Sequence, residues 1–334
     1  MPYKVIGYAM NDSLSAITEE DIRKLTGLNL AFGLIKDGLL DLSILPDINL
    51  IENYRKWNPD LKIVLSVGGW EAGGFSEMAM TAEGREAFAK SCLDAVNKYG
   101  LDGIDIDWEY PCSDAAGIGC SPADKENFTH LLQALRDAIG SEKILSIAAG
   151  AGEYYVRDTE MDKVAQILDY VQLMTYDLNA GFNQISCHHA ALYSGYPDNS
   201  CASTQDTVEL FHKAGVPYEK MIIGAAFYAR HFEVTAFENN GLYQPAGMGL
   251  PGPTFGEITP EYLAENGYEE FWDDKAQAAY LWNGKTFVSY ENEKAVRLKC
   301  RYMKEKGLLG IMYWEHGNDA NRVLLTAMHD EATK

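Results

Sequence analysis

Eight short apolar runs, spread along nearly the whole chain and separated by helix-like stretches, limit the possible folds more than any other feature of the sequence. They are KVIGYAM from Lys4, LNLAFGLI from Leu28, LKIVLSV from Leu61, DGIDIDW from Asp102, ILSIAAG from Ile144, YVQLMTYD from Tyr170, MIIGAAFY from Met221 and LLGIMYW from Leu308. Each is apolar enough to be buried on both faces, as a parallel strand beneath crossover helices requires. Between them, GREAFAKSCLDAVNKYG and NEKAVRLKCRYMKEKG end on Gly100 and Gly307, and a terminal glycine supplies a left-handed helix cap. Ser121-Pro122-Ala123-Asp124 reads as an N-cap, a first-turn proline and an acidic third position ahead of FTHLLQALRDAI. Strands that alternate with helices in this way predict an α/β fold, a closed (β/α)8 TIM barrel, with an open doubly wound sheet as the alternative.

Six of the seven intervals between the runs suit a strand–helix unit, but the last, from the run ending near Tyr228 to the run at Leu308, is far longer and must hold an insertion. Its content, from His231 to Tyr290, is rich in glycine, proline and aromatic residues, with a strand-like KTFVSY and a helical EYLAEN. The expectation is a barrel of residues 1–230 and 291–334, with a small α+β insertion over 231–290. Because it follows the seventh strand, it belongs on the face where barrel strands end. A chain of 334 residues can carry one such core.

With 49 acidic against 28 basic residues, the net charge of −21 repels phosphate backbones and anionic headgroups, and no basic patch offsets it. Neither nucleic acid nor a membrane is expected as a partner, and no apolar run reaches the length of a membrane span. The first strand-like stretch begins at Tyr3, leaving no room for a signal peptide, so the expectation is a soluble, secreted chain whose leader has been removed. Among six cysteines, Cys112 with Cys120 and Cys187 with Cys201 are near enough to close short loops, a hint of an oxidising compartment. Cys92 and Cys300 sit in helical patterns, where a buried free thiol is the default. The group Cys187, His188, His189 and Cys201 fits no zinc-finger spacing, and Gly150-Ala151-Gly152 lacks the third glycine of a dinucleotide loop. A Gly-x-Ser-x-Gly elbow is also missing. No metal and no cofactor are expected.

The segment Asp102-Gly103-Ile104-Asp105-Ile106-Asp107-Trp108-Glu109 carries the chemistry. Alternation along a strand puts Asp105, Asp107 and Glu109 on one face, each about 6.6 Å from the next, with Ile104, Ile106 and Trp108 on the other. Acid spacing alone arises easily by chance in so acidic a chain, and a solvated edge strand or a calcium site is the alternative. The apolar flanks decide for burial. Neighbouring buried carboxylates cost several kcal/mol unless some are protonated, so crowding should raise at least one pKa toward neutrality. Glu109, nearest the mouth and longest in reach, is the natural proton donor.

DGIDIDWEYP resembles the DxxDxDxE signature of family 18 glycoside hydrolases, the chitinases. The resemblance extends to Ser66-Val67-Gly68-Gly69-Trp70 on the third strand, similar to the family's SxGG motif, and to Met174-Thr175-Tyr176-Asp177 on the sixth. It includes Phe227-Tyr228-Ala229-Arg230 on the seventh and Met312-Tyr313-Trp314-Glu315 on the eighth, and so covers nearly the whole chain. The insertion is similar to that of the subgroup with a deeper cleft.

The resemblance implies a retaining mechanism without a protein nucleophile. Glu109 would protonate the glycosidic oxygen while the sugar's 2-acetamido carbonyl attacks its own anomeric carbon, and would then serve as base for water. Asp107 would hydrogen-bond the acetamido N–H, Asp105 behind it would share a proton, and Asp102 would support the strand. Tyr176 and Asp177 would hold the acetamido group and the leaving region. Trp314 matches the floor under the reacting sugar, Trp70 a ring on the leaving side, and Tyr8, Phe32, Met174, Tyr228 and Arg230 further lining positions. His188 matches a structural histidine, and a cis peptide is implied at Trp314–Glu315. Phe182 stands where the family commonly has tryptophan, which weakens the leaving-side platform. The implied partner is chitin or chitooligosaccharides, bound by a monomer. Two alternatives stay open: a hydrolase of another acetamido polymer, such as peptidoglycan or the N-glycan core, and a non-catalytic chitin-binding lectin, although lectins of this kind usually lack the glutamate.

Overall fold

In the computed structural model the described residues are 3–181, 184–196 and 201–334. Among them the chain forms fourteen strands: β1 (Lys4–Met10), β2 (Gly27–Lys36), β3 (Leu39–Asp41), β4 (Lys62–Gly68), β5 (Gly103–Asp107), β6 (Ile144–Gly150), β7 (Tyr170–Met174), β8 (Met221–Ala226), β9 (Tyr228–Glu233), β10 (Leu250–Thr254), β11 (Glu269–Asp273), β12 (Ala278–Trp282), β13 (Thr286–Tyr290) and β14 (Gly310–Trp314). Strands β1, β2, β4, β5, β6, β7, β8 and β14 pair in parallel in that order, and β14 returns to β1 to close the ring. The fold is a (β/α)8 barrel, and its eight strands coincide with the eight apolar runs. Strand β3 was not foreseen. It folds back on β2 through Asp37-Gly38, both left-handed at φ 52° and 75°, the geometry of a tight two-residue hairpin.

Burial on both strand faces has two different causes. Outward residues such as Ile104, Ile106 and Trp108 join the large apolar layer beneath the helices, where the Trp108 ring stacks on Phe75 at 5.1 Å. Inward, a smaller cluster of Ile6, Tyr8, Ala31, Ala148, Tyr170, Met174, Ile222 and Met312 fills the barrel. Helices Ala82–Tyr99 and Glu293–Lys306 end on left-handed Gly100 and Gly307, as the sequence predicts. The cap expected at Ser121 is corrected: the helix runs Asp124–Ile139, two residues later than a Ser121 cap implies. The Asp124 carboxylate is buried and accepts from Ser76 Oγ (2.7 Å), the Ser121 amide (2.7 Å) and the Cys112 amide (3.3 Å), so Ser121–Ala123 form a turn around it.

The long interval holds a five-stranded antiparallel sheet, order β10-β9-β13-β12-β11, with helix Pro260–Asn266. Its first strand begins at Tyr228. The Phe227-Tyr228-Ala229-Arg230 motif is therefore divided, not carried on the seventh barrel strand. Phe227 stays in the barrel core, stacked on Tyr313 at 4.3 Å with its amide donating to Trp314 O, and the chain then leaves for β9. Cys187 and Cys201 form a disulfide, whereas Cys112 and Cys120 are free thiols, as are the buried Cys92 and Cys300. Among the described residues no helix is long and apolar enough to cross a membrane.

Candidate active site

The C-terminal ends of the barrel strands gather nearly every residue singled out in the sequence. Deepest is Asp105, fully buried on β5. Parallel register sets Ser66 of β4 and Ser146 of β6 directly beside it. Ser66 Oγ donates to Oδ2 at 2.8 Å, Ser146 Oγ to Oδ1 at 2.7 Å, Tyr8 Oη of β1 to Oδ2 at 2.8 Å and Gln172 Nε2 of β7 to Oδ1 at 3.0 Å. Burial raises the Asp105 pKa, and these four hydrogen bonds oppose the rise by favouring the anion.

One turn of the pleat further on, Asp107 is 4% exposed, and its Oδ1 has no hydrogen-bond partner among the described residues. Burial, then the charges of Glu109 and Asp105, push its carboxyl well above the usual carboxylate range. Glu109 follows at the mouth, pushed up to about 7 chiefly by burial, with Tyr110 lowering and Asp177 raising it. The glycines after Ser66 explain this packing. At Gly68 (φ 124°) a Cβ would lie 2.0 Å from the Asp107 carbonyl oxygen, and the Gly69 amide donates to that same oxygen at 2.9 Å. The serine and two glycines thus hold one strand against the acid strand.

Across the mouth, Tyr176 and Asp177 follow β7. The Asp177 carboxylate accepts from Nε and Nη2 of Arg230 (2.6 and 2.7 Å) and from Tyr228 Oη (2.8 Å), with His189 Nδ1 at 3.3 Å. Burial alone would raise its pKa, but the contacts with Arg230 and His189 hold it far below the ordinary value. The Tyr176 hydroxyl is raised well above its usual value by burial and by the nearby Asp107 and Glu109. On the barrel floor the Trp314 ring stacks on Phe32 (5.4 Å) and tilts against Tyr8 (5.8 Å), and Met174 packs in the same cluster. Trp70 stands at the rim, 55% exposed, its ring edge-on to Tyr110 at 6.3 Å. Cis peptide bonds occur at Ala31–Phe32, Glu109–Tyr110 and Trp314–Glu315. Phe182 lies outside the described residues.

Several participants were missed. Gln172 and Ser146 are polar residues at inward positions of otherwise apolar strands, a signal present in the alternation. His189, weighed in the sequence only as a metal ligand, instead contacts Asp177, while His188 Nε2 faces Asp273 at 3.3 Å beneath the inserted sheet. Tyr110 and Tyr154, whose rings lie 5.1 Å apart beside Glu109, carried no local signal. Asp102, at the other end of β5, pairs with Arg55 at 3.2 Å and accepts from the Ile63 amide at 2.9 Å.

A family model described as "Glycosyl hydrolases family 18" matches residues 4–319. The chain is 37% identical over 309 residues to Chitinase A1 of Niallia circulans, a match covering 85% of this chain and 44% of that protein. It is 34% identical over 281 residues to Chitotriosidase-1 of Mus musculus, covering 79% and 60% respectively. The chain therefore spans about half the length of the curated relatives it matches. Among solved structures, a glycoside hydrolase family 18 N-acetylglucosaminidase from Paenibacillus barengoltzii superposes with a TM-score of 0.95 at 46% identity, covering 98% of this chain and 99% of that one.

Proposed function

The chain belongs to family 18 of the glycosyl hydrolases, and from that membership and the site we propose that it hydrolyses β-1,4 linkages between N-acetylglucosamine units, with retention at the anomeric carbon. Glu109 protonates the leaving oxygen while the substrate's acetamido oxygen closes on C1; Glu109 then takes a proton from the incoming water. Asp107 and Tyr176 hold the acetamido group, Asp105 shares the charge of Asp107, and Asp177 is oriented by Arg230 and Tyr228. Trp314, Phe32, Tyr8 and Met174 floor the reacting sugar, and Trp70 stacks under the leaving side.

A single observation carries this reading. A carboxyl raised to about 7 stands beside a deeper carboxyl whose Oδ1 has no partner among the described residues, so the pair offers a proton and an unfilled acceptor for an amide N–H. Glu109→Gln should lower turnover of chitooligosaccharides at least a thousandfold while leaving binding within a few-fold. Wild-type-like cleavage of oligomers lacking the acetyl group at the scissile unit would remove the basis for amide participation. Presence of the glutamate also argues against a purely lectin-like role.

One finding favours a second reading within the same chemistry. One solved structure that matches this chain end to end, at 46% identity, is named an N-acetylglucosaminidase, which supports release of single sugars from a chain terminus, whereas others matched as fully at lower identity are named chitinases. Early products from a defined hexamer separate the two: monomer throughout for terminal release, dimers to tetramers for internal cleavage. The Cys187–Cys201 disulfide supports action outside the cell.

A further inference from the structure

Strand β7 stops pairing with β8 at Leu173 opposite Ile223, while β8 runs on to Ala226. Thr175 would come next in the ladder, but its amide turns back to Leu173 O (2.8 Å), and the Tyr176 amide to Met174 O (2.7 Å). The chain thus curls off the sheet into the mouth, carrying Tyr176 with it, and side chains take the place it leaves. Thr175 Oγ1 donates to Gly224 O at 2.8 Å and accepts from the Gly224 amide at 2.8 Å. Lys299 Nζ, from helix Glu293–Lys306, donates to the same carbonyl at 2.9 Å and lies 3.0 Å from both carboxylate oxygens of Glu291. Glu291 Oε2 in turn accepts from the Ala226 amide at 2.6 Å. Lys299 and Glu291 are both buried, and Glu291 directly follows β13 of the inserted sheet. The Tyr176 ring rests on this braced backbone: a Cβ on Gly224 would fall 2.7 Å from its Cε1 atom.

We propose that Glu291 and Lys299 are positioning residues for the reaction assigned above, holding the end of β8 where it sets the Tyr176 hydroxyl against the acetamido group. This rests on the proposed role of Tyr176. Taking two charges out of water costs more than burying apolar residues of like volume, so stability is a weak reason for an ion pair at this place. What apolar side chains cannot do is satisfy a carbonyl and an amide that a departing strand has left behind. Lys299 supplies the missing donor at Gly224 O, and Glu291 the missing acceptor at the Ala226 amide. The two side chains come from elements outside the ring of strands, so the place of Tyr176 depends on the inserted sheet and the helix after it as well as on its own strand. Buried as they are, both act through the Gly224 and Ala226 backbone rather than by touching substrate.

The test compares Lys299→Met, the charge-free pair Glu291→Gln with Lys299→Met, Tyr176→Phe, and each of the first two combined with Tyr176→Phe, by kcat and KM on a chitooligosaccharide and by thermal melting. Lys299→Met leaves the Glu291 charge unpaired and should melt lower. In the charge-free pair, where the glutamine oxygen still accepts from the Ala226 amide, most of the melting temperature should return. Activity should not return with it: in both variants kcat falls roughly tenfold to a hundredfold with KM within about threefold, because Gly224 O has lost its lysine and the Tyr176 ring its fixed shelf. Added to Tyr176→Phe, either should lower kcat no further than Tyr176→Phe alone, since both act through that hydroxyl. Recovery of kcat along with melting temperature in the charge-free pair, losses that multiply in the Tyr176→Phe combinations, or a loss confined to KM would each overturn the positioning role. If Lys299→Met does not fold, the charge-free pair carries the same comparison. If the wild type cleaves no acetamido oligosaccharide, the functional reading fails, and the 13C resonance of the hydroxyl-bearing ring carbon of Tyr176 still decides: displaced in the folded charge-free pair if Lys299 and Glu291 place the ring, unmoved if they do not.

Discussion

Glu109 and Asp177 illustrate opposite electrostatic settings within one mouth. Burial raises the folded-state pKa of Glu109 to about 7, above its unfolded value near 4.3, so the group weakens the fold progressively as pH rises between those values. Glu109→Gln should therefore melt higher than wild type at pH 8, on the order of 2 kcal/mol, and equally at pH 4; a lower melting temperature at pH 8 would contradict the sign. Asp177 is depressed, so its contribution is present above about pH 4 and is lost as pH falls. Arg230→Ala removes two short hydrogen bonds from a carboxylate at the partly exposed rim. The expected result is a loss of roughly 1 kcal/mol, an acid-unfolding midpoint moved to higher pH, and a kcat reduced tenfold to a hundredfold, since Asp177 loses its orientation. The acids themselves were legible because alternation on a buried strand fixes their face. Ser146 and Gln172 stood out as polar residues on apolar strands, but a lone polar residue does not reveal its partner until register sets Ser146 beside Asp105.

At the level of elements, the turn after β5 decides how firmly Glu109 and Tyr110 are held. Asp124 anchors it from the start of the next helix, with two backbone amides and the Ser76 hydroxyl converging on one buried carboxylate. Asp124→Ala leaves those donors unmet and should cost about 2–4 kcal/mol, read as a lower urea midpoint at unchanged slope, with reduced activity. An unchanged midpoint would show that the turn holds its shape without it. The misread cap at Ser121 has the same origin: a Ser-Pro-x-Asp string fits a helix start, and nothing local says that the aspartate turns inward. Strand β9 shows a related limit. The motif that contains Tyr228 and Arg230 reads as one apolar strand, yet Phe227 packs against Tyr313 and the chain changes sheets immediately after it.

For the molecule as a whole, the eight apolar runs foretold the barrel because each must be covered on both faces, and the overlong last interval announced the inserted sheet. That sheet leans on the barrel through Arg230 and Tyr228 on Asp177, and through the buried Lys299, which donates to Gly224 O (2.9 Å) and to Glu291 (3.0 Å). Barrel and sheet should accordingly unfold together, with far- and near-ultraviolet circular dichroism tracing one coincident urea transition; an earlier, separate step would mean that the sheet comes away alone. The four donors on Asp105 come from β1, β4, β6 and β7, on both sides of the ring. A partly assembled ring leaves that aspartate hydrated and of ordinary acidity, so the proton inventory of the mouth exists only after closure. Loops at the rim can then be exchanged to alter which sugar chain enters, whereas those five side chains form one inherited unit that no single substitution can reinvent.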